Sequence, residues 1–139
     1  MLELPGGCHC GAIRFTVRCE AREAIDCDCS ICTKKGFLHL IVPLVDVVFP
    51  DGDLEALVAD GRLAEYRFGT RTARHTFCAR CGMHPFYVPR SHPDGLDVNV
   101  RALDEVAAEG LKRWKITPFD GRHWEENVAS IREEPPPDP

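Results

Sequence analysis

Seven of the eight cysteines in this 139-residue chain fall into three short clusters. The clusters are a C-x-C pair, a C-x-C-x-x-C triad and a C-x-x-C pair, which lie at Cys8 and Cys10, at Cys27, Cys29 and Cys32, and at Cys78 and Cys81. The first ten residues, "MLELPGGCHC", contain neither a basic region nor an apolar run that would direct secretion. We therefore expect a cytoplasmic protein, and in that reducing compartment such spacings favour metal binding over disulfides.

The two cysteine pairs together have the composition of a structural zinc site. Such a site holds zinc in a tetrahedron of four thiolates or imidazoles, and closely spaced cysteines supply two ligands from one tight turn. The segment "FCARCG" has this form, because Gly82 follows the second cysteine and allows the backbone to turn. Cys78 and Cys81 then need a partner pair, which Cys8 and Cys10 provide. The spacing predicts one four-cysteine zinc site joining the start of the chain to its middle; the alternative is that one or both pairs are thiols without metal.

The triad "CDCSIC" has a different composition, because Cys27, Cys29 and Cys32 leave a tetrahedral metal one ligand short. Three protein ligands and an open position are typical of a catalytic zinc. The open position could accept water or an external thiol, which zinc would hold as the nucleophilic thiolate. Lys34 and Lys35 follow directly and add positive charge for an anionic substrate or for the anionic site itself. The alternative is that a fourth internal ligand, such as a histidine, closes the triad into a second structural zinc site.

The remaining candidates are interpreted as supporting residues. His9 lies inside the C-x-C pair, where the two cysteines already serve as ligands, and we expect it to face solvent or to support the site. His39, His75 and His84 occur in apolar, strand-like stretches, which is typical of hydrogen-bonded core histidines. Cys19 continues the apolar face of a predicted strand, where a free cysteine packs as a small hydrophobic side chain.

The elements that must position these cysteines are mostly strands. Alternation of apolar and polar residues predicts strands over 13–19, 64–68, 73–77 and 96–101, with shorter ones at 37–42 and 85–88. Short helical segments are expected over Ser30–Lys35, over 54–58 and from Asp104, as N-cap, towards Gly110. Turn signals such as "PDGD" and "HPDG" favour an antiparallel meander. The fold class is therefore mainly β.

Length and composition limit the remaining possibilities. A chain of 139 residues with 44% hydrophobic and 28% charged residues is expected to form one domain, over 1–131, followed by a disordered proline-rich tail over 132–139. The net charge of −5 and scattered basic residues exclude nucleic acid as the principal partner. No apolar run approaches the ~20 residues of a membrane helix. Nothing in the sequence indicates an oligomeric state.

Five blocks of the sequence together resemble one known family. In order they are "GGCHCGAIRF", "CDCSICTKKG", "HTFCARCGMHPFY", "DVNVRALD" and "FDGRHWE". This succession, from Gly6 to about Glu125, is similar to the glutathione-dependent formaldehyde-activating enzyme family, also called the centromere-protein V family. The resemblance implies a β-tent fold, in which antiparallel sheets are pinned by a structural zinc. On the family pattern, the two pairs match the structural-zinc ligands and the triad matches the ligands of a second, catalytic zinc. Other residues of these blocks are assigned only turn formation and packing, namely Asn99, Phe119, Asp120, Gly121 and Trp124.

The activity implied by the resemblance is that of a carbon–sulfur lyase. Glutathione and formaldehyde would combine to S-hydroxymethylglutathione, with glutathione or a related small thiol as the substrate. Cys29, central in the triad, is expected to be the cysteine most open to exchange with glutathione. Two other classes of function are compatible with the sequence. One is a non-catalytic, zinc-stabilised binding module or glutathione carrier, and the other is a redox protein that uses two of these cysteines as an exchangeable disulfide.

Overall fold

The structure, a computed structural model, describes residues 1–131. The proline-rich segment 132–139, for which disorder was expected, lies outside the described residues. The strands and helices follow the order β1 (Leu2–Gly7), β2 (Arg14–Cys19), β3 (Glu23–Cys27), α1 (Ser30–Lys35), β4 (Leu38–Pro43), β5 (Val47–Val48), α2 (Leu54–Ala59), β6 (Leu63–Tyr66), β7 (His75–Cys78), β8 (Phe86–Tyr87), β9 (Gly95–Asn99), α3 (Asp104–Glu109), β10 (Lys115–Phe119) and α4 (Trp124–Asn127). The expected mainly β fold is confirmed.

The strands are arranged in three sheets. One sheet has the order β1-β2-β5, the second has the order β10-β3-β4-β9-β8, and β6 pairs with β7 as a hairpin. All pairings are antiparallel except that of β10 with β3, which is parallel. The expectation of a simple antiparallel meander is therefore wrong at this edge. The last strand of the chain returns to pair with the third, and turn signals between neighbouring strands carry no information about such a distant pairing.

The strongly alternating segments of the sequence correspond to strands in the structure. The predicted strands at 13–19, 37–42 and 96–101 are observed as β2, β4 and β9 with small shifts of their ends. Four strands were not predicted: β1, β3, β5 and β10. These are short or contain proline and glycine, as in "LELPGG" and "KITPF", so their apolar residues do not alternate clearly.

Glycine allows close packing at the end of β1. A Cβ atom on Gly6 would lie 2.7 Å from the carbonyl oxygen of Ala102, and one on Gly7 would lie 2.3 Å from that of Ile13. Gly6 forms a bridge with Leu103, which is fully buried. The absence of side chains here lets β1 approach the segment before α3 and directs the chain into the loop that carries Cys8.

The start of α3 differs from the expectation. Leu103, and not Asp104, is the N-cap residue, and Asp104 is the first helical residue. The Asp104 carboxylate instead accepts hydrogen bonds from both terminal nitrogens of Arg14, at 2.6 and 3.0 Å. This pair links the helix to β2, and the Arg14 guanidinium lowers the pKa of Asp104. None of the helices in the described part of the chain combines the length and apolar composition needed to cross a membrane.

The hydrophobic core lies between the sheets. The rings of Phe15 and Phe49 both pack edge-on against Phe86, with centroid distances of 5.7 and 5.3 Å. Cys19 is 7% exposed and belongs to this core, as expected from the alternation in its strand. Cys8 and Cys78 also belong to this core, so two of the paired cysteines are packed directly within it.

A matched pair of valine substitutions tests this core. Val17 is fully buried and Val45 is 81% exposed. Because Val17→Ala removes two methyl groups from a packed interior, we expect it to lower the free energy of unfolding by about 2 kcal/mol. Val45→Ala should change it by less than about 0.5 kcal/mol. Urea denaturation at constant zinc concentration would measure both, and equal losses would contradict the assignment of Val17 to the core.

Candidate functional site

The two cysteine pairs meet in one cluster. Cys8 and Cys10 lie in the loop between β1 and β2, Cys78 ends β7, and Cys81 lies in the turn that follows. The four sulfur atoms are all within 4.8 Å of one another, with 3.6 Å between Cys8 and Cys10 and 3.7 Å between Cys10 and Cys78. A tetrahedral zinc with bonds of about 2.3 Å would place its sulfur ligands about 3.8 Å apart. The cluster could therefore hold a metal ion, and its separations suit zinc.

Backbone groups around this cluster point towards sulfur. The amide of Ile13 donates to Cys8 Sγ at 3.3 Å, and that of Cys81 donates to Cys78 Sγ at 3.5 Å. Gly82 has φ of +78°, and its amide donates to the Cys78 carbonyl at 2.8 Å, which closes the turn. Such amide donors orient thiolate ligands and reduce their mutual repulsion. His9 is exposed, in agreement with the expectation that it does not belong to the ligand set.

Removing a thiol from this cluster should affect the whole fold. Cys78 is fully buried within the cluster, whereas Cys19 is a buried cysteine outside it. Because metal binding at a structural site is coupled to folding by an energy on the order of 10 kcal/mol, we expect Cys78→Ala to lose the metal and much of the folded population. Cys19→Ala should keep the metal. Metal analysis and thermal denaturation would check this, and similar melting of the two variants would contradict it.

The three cysteines of the triad form a second cluster. Cys27 ends β3, Cys29 is the N-cap residue of α1, and Cys32 lies buried inside that helix. The Cys32 amide contacts Cys29 Sγ at 3.5 Å. The pKa of the Cys29 thiol is lowered because the neighbouring thiols of Cys27 and Cys32 hydrogen-bond to it, together with the amides of Cys32 and Ile31. Of the three triad thiols, Cys29 is thus the one whose ionised form is favoured, since the pKa values of Cys27 and Cys32 are raised.

His39 lies beside two of these cysteines, Cys27 and Cys32, whereas the sequence analysis offered a histidine only as an alternative fourth ligand and assigned His39 itself to the core. One ring nitrogen of His39 and the sulfurs of Cys27 and Cys32 lie within 4.8 Å of one another. His39 is 5% exposed, and its Nδ1 lies 2.5 Å from an oxygen of Asp97, which is 1% exposed. His39 is therefore buried and hydrogen-bonded, as expected. However, its Nε2 has no hydrogen-bond partner among the described residues.

Strand register explains how this histidine reaches the thiols. In the pairing of β4 with β9, His39 lies opposite Asn99, so Asp97 projects from the same face one step along. On its other side β4 pairs with β3, whose last residue is Cys27. The sequence offered one signal for this pair, a histidine and an aspartate that each lie within an otherwise apolar strand pattern. It could not show that the two residues are partners, because that depends on the pairing of segments distant in the chain.

A cavity of about 310 Å³ opens beside the second cluster. Its lining includes the three triad cysteines, His39 and Asp97. Most of the remaining wall is apolar, and its larger side chains are Ile25, Ile31, Ile41, Phe68, Phe119 and Trp124. A small molecule in this cavity would therefore meet sulfur atoms on one side and a mostly apolar wall with a few polar groups elsewhere, which is the usual composition of a ligand site.

Two cationic residues lie close to the cavity. Lys35 Nζ is 3.1 Å from His75 Nδ1 and 3.9 Å from the centroid of the Tyr87 ring. Burial lowers the pKa of this lysine to about 8, because it disfavours the charged ammonium. Arg90 lines the cavity, packs over the Trp124 ring and pairs with Glu125 at 2.5 Å. Lys34, the other lysine of the sequence motif, is exposed.

The segment after β10 covers the triad. The Gly121 and Arg122 amides donate to one carboxylate oxygen of Asp28 at 2.9 and 3.1 Å, which ties this segment to the loop between Cys27 and Cys29. A Cβ atom on Gly121 would lie 2.2 Å from Cys27 Sγ and 3.0 Å from Cys29 Cβ. Gly121, to which the sequence assigned only a turn, therefore allows the covering segment to contact the sulfur cluster.

Gly121→Ala should displace the triad without affecting the four-cysteine cluster. Because the new methyl group would overlap Cys27 Sγ, we expect the variant to bind one metal ion fewer per chain than the unmodified protein. Gly110→Ala is the control, because Gly110, which follows α3, has φ of +79° and no atom within 4 Å of an added Cβ, so the substitution adds backbone strain outside both cysteine clusters. Elemental analysis of the two variants would check this. An unchanged metal content in Gly121→Ala would contradict the role of Gly121.

The structure thus describes a mainly β protein with two groups of side chains that could each hold a metal ion, one of four cysteines and one of Cys27, Cys32 and His39. A comparison with solved structures gives a crystal structure of a Rhodobacter sphaeroides protein, 35% identical, with a TM-score of 0.63, covering 82% of this chain and 100% of the other. The family model described as glutathione-dependent formaldehyde-activating enzyme matches residues 3–117. The chain belongs to this family, which confirms the resemblance noted in its sequence.

Proposed function

We propose that this protein is a zinc-dependent carbon–sulfur lyase that acts on glutathione or a related small-thiol adduct of the S-hydroxymethylglutathione type. Membership of the family supports glutathione and formaldehyde as the reactants. The observation that carries the proposal is the position of the three triad cysteines in the wall of a cavity of about 310 Å³. Thiols that served only to hold the fold together would not need a cavity beside them.

The two clusters have separate roles in this proposal. The four sulfurs that lie within 4.8 Å of one another would hold a structural zinc, and their residues are Cys8, Cys10, Cys78 and Cys81. The triad, Cys27, Cys29 and Cys32, would hold a second zinc. A zinc ion bound there would stabilise a thiolate at neutral pH. The donor set fits this metal, because cysteine sulfur is its common protein ligand.

The side chains around the triad would bind and orient the reactants. The apolar wall formed by residues such as Ile41 and Phe119 would exclude water from the reacting sulfur. The Arg90 guanidinium lines the cavity and offers a partner for a substrate carboxylate, in exchange with Glu125. Lys35 adds positive charge behind the triad. Holding the sulfur and the aldehyde carbon in one cavity would replace a bimolecular encounter with a positioned reaction.

The reaction needs no oxidant or reductant. A bond forms between the thiol sulfur and the aldehyde carbon, the carbon–oxygen double bond becomes single, and the proton lost from sulfur is regained at oxygen. The reverse reaction breaks the same carbon–sulfur bond. This balance separates the proposal from a redox role, in which oxidation of two cysteines would lower the count of free thiols by two without loss of metal.

A test of the proposal is the rate of exchange between glutathione and its formaldehyde adduct, measured by magnetisation-transfer NMR with and without protein. We expect the protein to accelerate exchange, and Cys29→Ala to reduce that acceleration by about 100-fold, because positioning of the sulfur is lost. Cys19→Ala is the matched control, since this cysteine lies in the core away from the cavity.

Zinc analysis of the same proteins distinguishes the alternatives. Two zinc ions per chain, with one lost in Cys29→Ala, would support the lyase. One zinc per chain in every sample, together with no acceleration of exchange, would contradict it and would favour a zinc-stabilised binding module. Glutathione binding without acceleration would instead favour a carrier.

A further inference from the structure

We infer that His39, oriented by Asp97, is a fourth protein ligand of the metal at the triad, and that a substrate thiol must take its place. This inference rests on the proposed function, because it concerns how the same site receives its substrate. It extends the site from three cysteines to three cysteines and one histidine, and it gives Asp97 the role of a positioning residue.

The first observation is the unpaired ring nitrogen. His39 is 5% exposed, its Nδ1 is engaged by Asp97 at 2.5 Å, and its Nε2 has no hydrogen-bond partner within the described range 1–131. Buried polar nitrogens are nearly always satisfied. With the proton on Nδ1, where the carboxylate accepts it, Nε2 presents a lone pair, which requires a donor or a metal ion.

The second observation is where that ring lies. A His39 ring nitrogen is within 4.8 Å of the sulfurs of both Cys27 and Cys32. Bond lengths to zinc of about 2.1 Å for nitrogen and 2.3 Å for sulfur require ligand atoms roughly 3.6 Å apart in a tetrahedron. Cys27, Cys32 and His39 already lie within 4.8 Å of one another, whereas Cys29 Sγ is outside this group and has to turn towards the ion to complete the four ligands. A histidine that served only packing would not need two thiols as neighbours.

The third observation is the partner of the histidine. Asp97 is 1% exposed, and its second carboxylate oxygen has no hydrogen bond among the described residues. Metal-ligating histidines commonly donate their other N–H to a carboxylate, which fixes the ring and makes the free nitrogen a better ligand. The backbone pairing of β4 with β9 holds both residues, so the imidazole would be rigidly placed.

A fourth protein ligand changes the resting state of the site. Three thiolates leave one position open, whereas three thiolates and His39 fill a tetrahedron. An incoming thiol then competes with an imidazole that Asp97 keeps nearby. Removing His39 should consequently have two opposite effects: the metal becomes easier to remove, while a thiol binds more tightly. A substitution that merely damaged the fold would weaken both.

The first experiment challenges the purified zinc protein with increasing concentrations of a competing chelator and counts the zinc that remains. We expect His39→Gln to release the second zinc at a chelator concentration about 10- to 100-fold lower than the unmodified protein requires. Asp97→Asn should also lower the chelator concentration at which this zinc is released. The four-cysteine zinc should be unaffected. His84→Gln is the control, because His84 is a half-buried histidine with an unpaired nitrogen outside both metal clusters. If His39→Gln and the unmodified protein retained the second zinc equally at every chelator concentration, the inference would be overturned.

The second experiment titrates 2-mercaptoethanol into the zinc-loaded proteins by calorimetry. This probe carries a thiol without the groups that would recognise glutathione. We expect a lower dissociation constant in His39→Gln than in the unmodified protein. An equal or higher dissociation constant in the variant would contradict the inference that His39 and the thiol compete for the same position on the metal.

X-ray absorption at the zinc edge of the unmodified protein gives a test that does not depend on a variant folding. Bound His39 would contribute the outer-shell scattering of an imidazole ring, and its absence with two zinc ions present would overturn the inference while leaving the lyase proposal intact. One zinc per chain, without exchange of the glutathione adduct, would instead show that the proposed function itself fails.

Discussion

The antiparallel pairing of β4 with β9 is the interaction on which the arrangement of the second cluster depends. It places His39 and Asp97 on one face of the sheet, both almost fully buried. The neighbouring strand β3 then delivers Cys27, and the helix that follows brings Cys32 against the same histidine. A shift of one residue in this register would turn His39 to the opposite face. The backbone hydrogen bonds of the sheet therefore determine which side chains meet at the sulfur cluster.

A second constraint comes from the charge of the clustered thiols. Sulfurs within 4.8 Å of one another repel when ionised, and burial disfavours each thiolate further. A bound cation resolves this conflict, while amides directed at Cys8, Cys29 and Cys78 provide partial compensation. The second cluster has an additional cation in Lys35, held between His75 and Tyr87.

The sequence predicted the grouping of the cysteines because that information is local. A spacing of one or two residues fixes sulfurs on one turn, and the structure brings the two predicted pairs together, whereas the group it forms at the triad is Cys27, Cys32 and His39. Strong alternation likewise predicted β2 and β9. By contrast, the partnership of His39 with Asp97 and the parallel pairing of β3 with β10 join segments far apart in the chain, so no local pattern encodes them.

Gly121 shows how a distant segment completes the site. The parallel pairing of β10 with β3 ends at Phe119 opposite Cys27, so the chain leaves the sheet directly above the triad. Asp28, between two of the triad cysteines, then binds the amides of Gly121 and Arg122. The loop that carries the thiols and the segment that covers them are therefore tied together. Phe119, Gly121 and Trp124 all line the cavity, so this segment forms part of its wall. The pairing of the last strand with the third consequently places this part of the cavity wall beside the sulfur cluster.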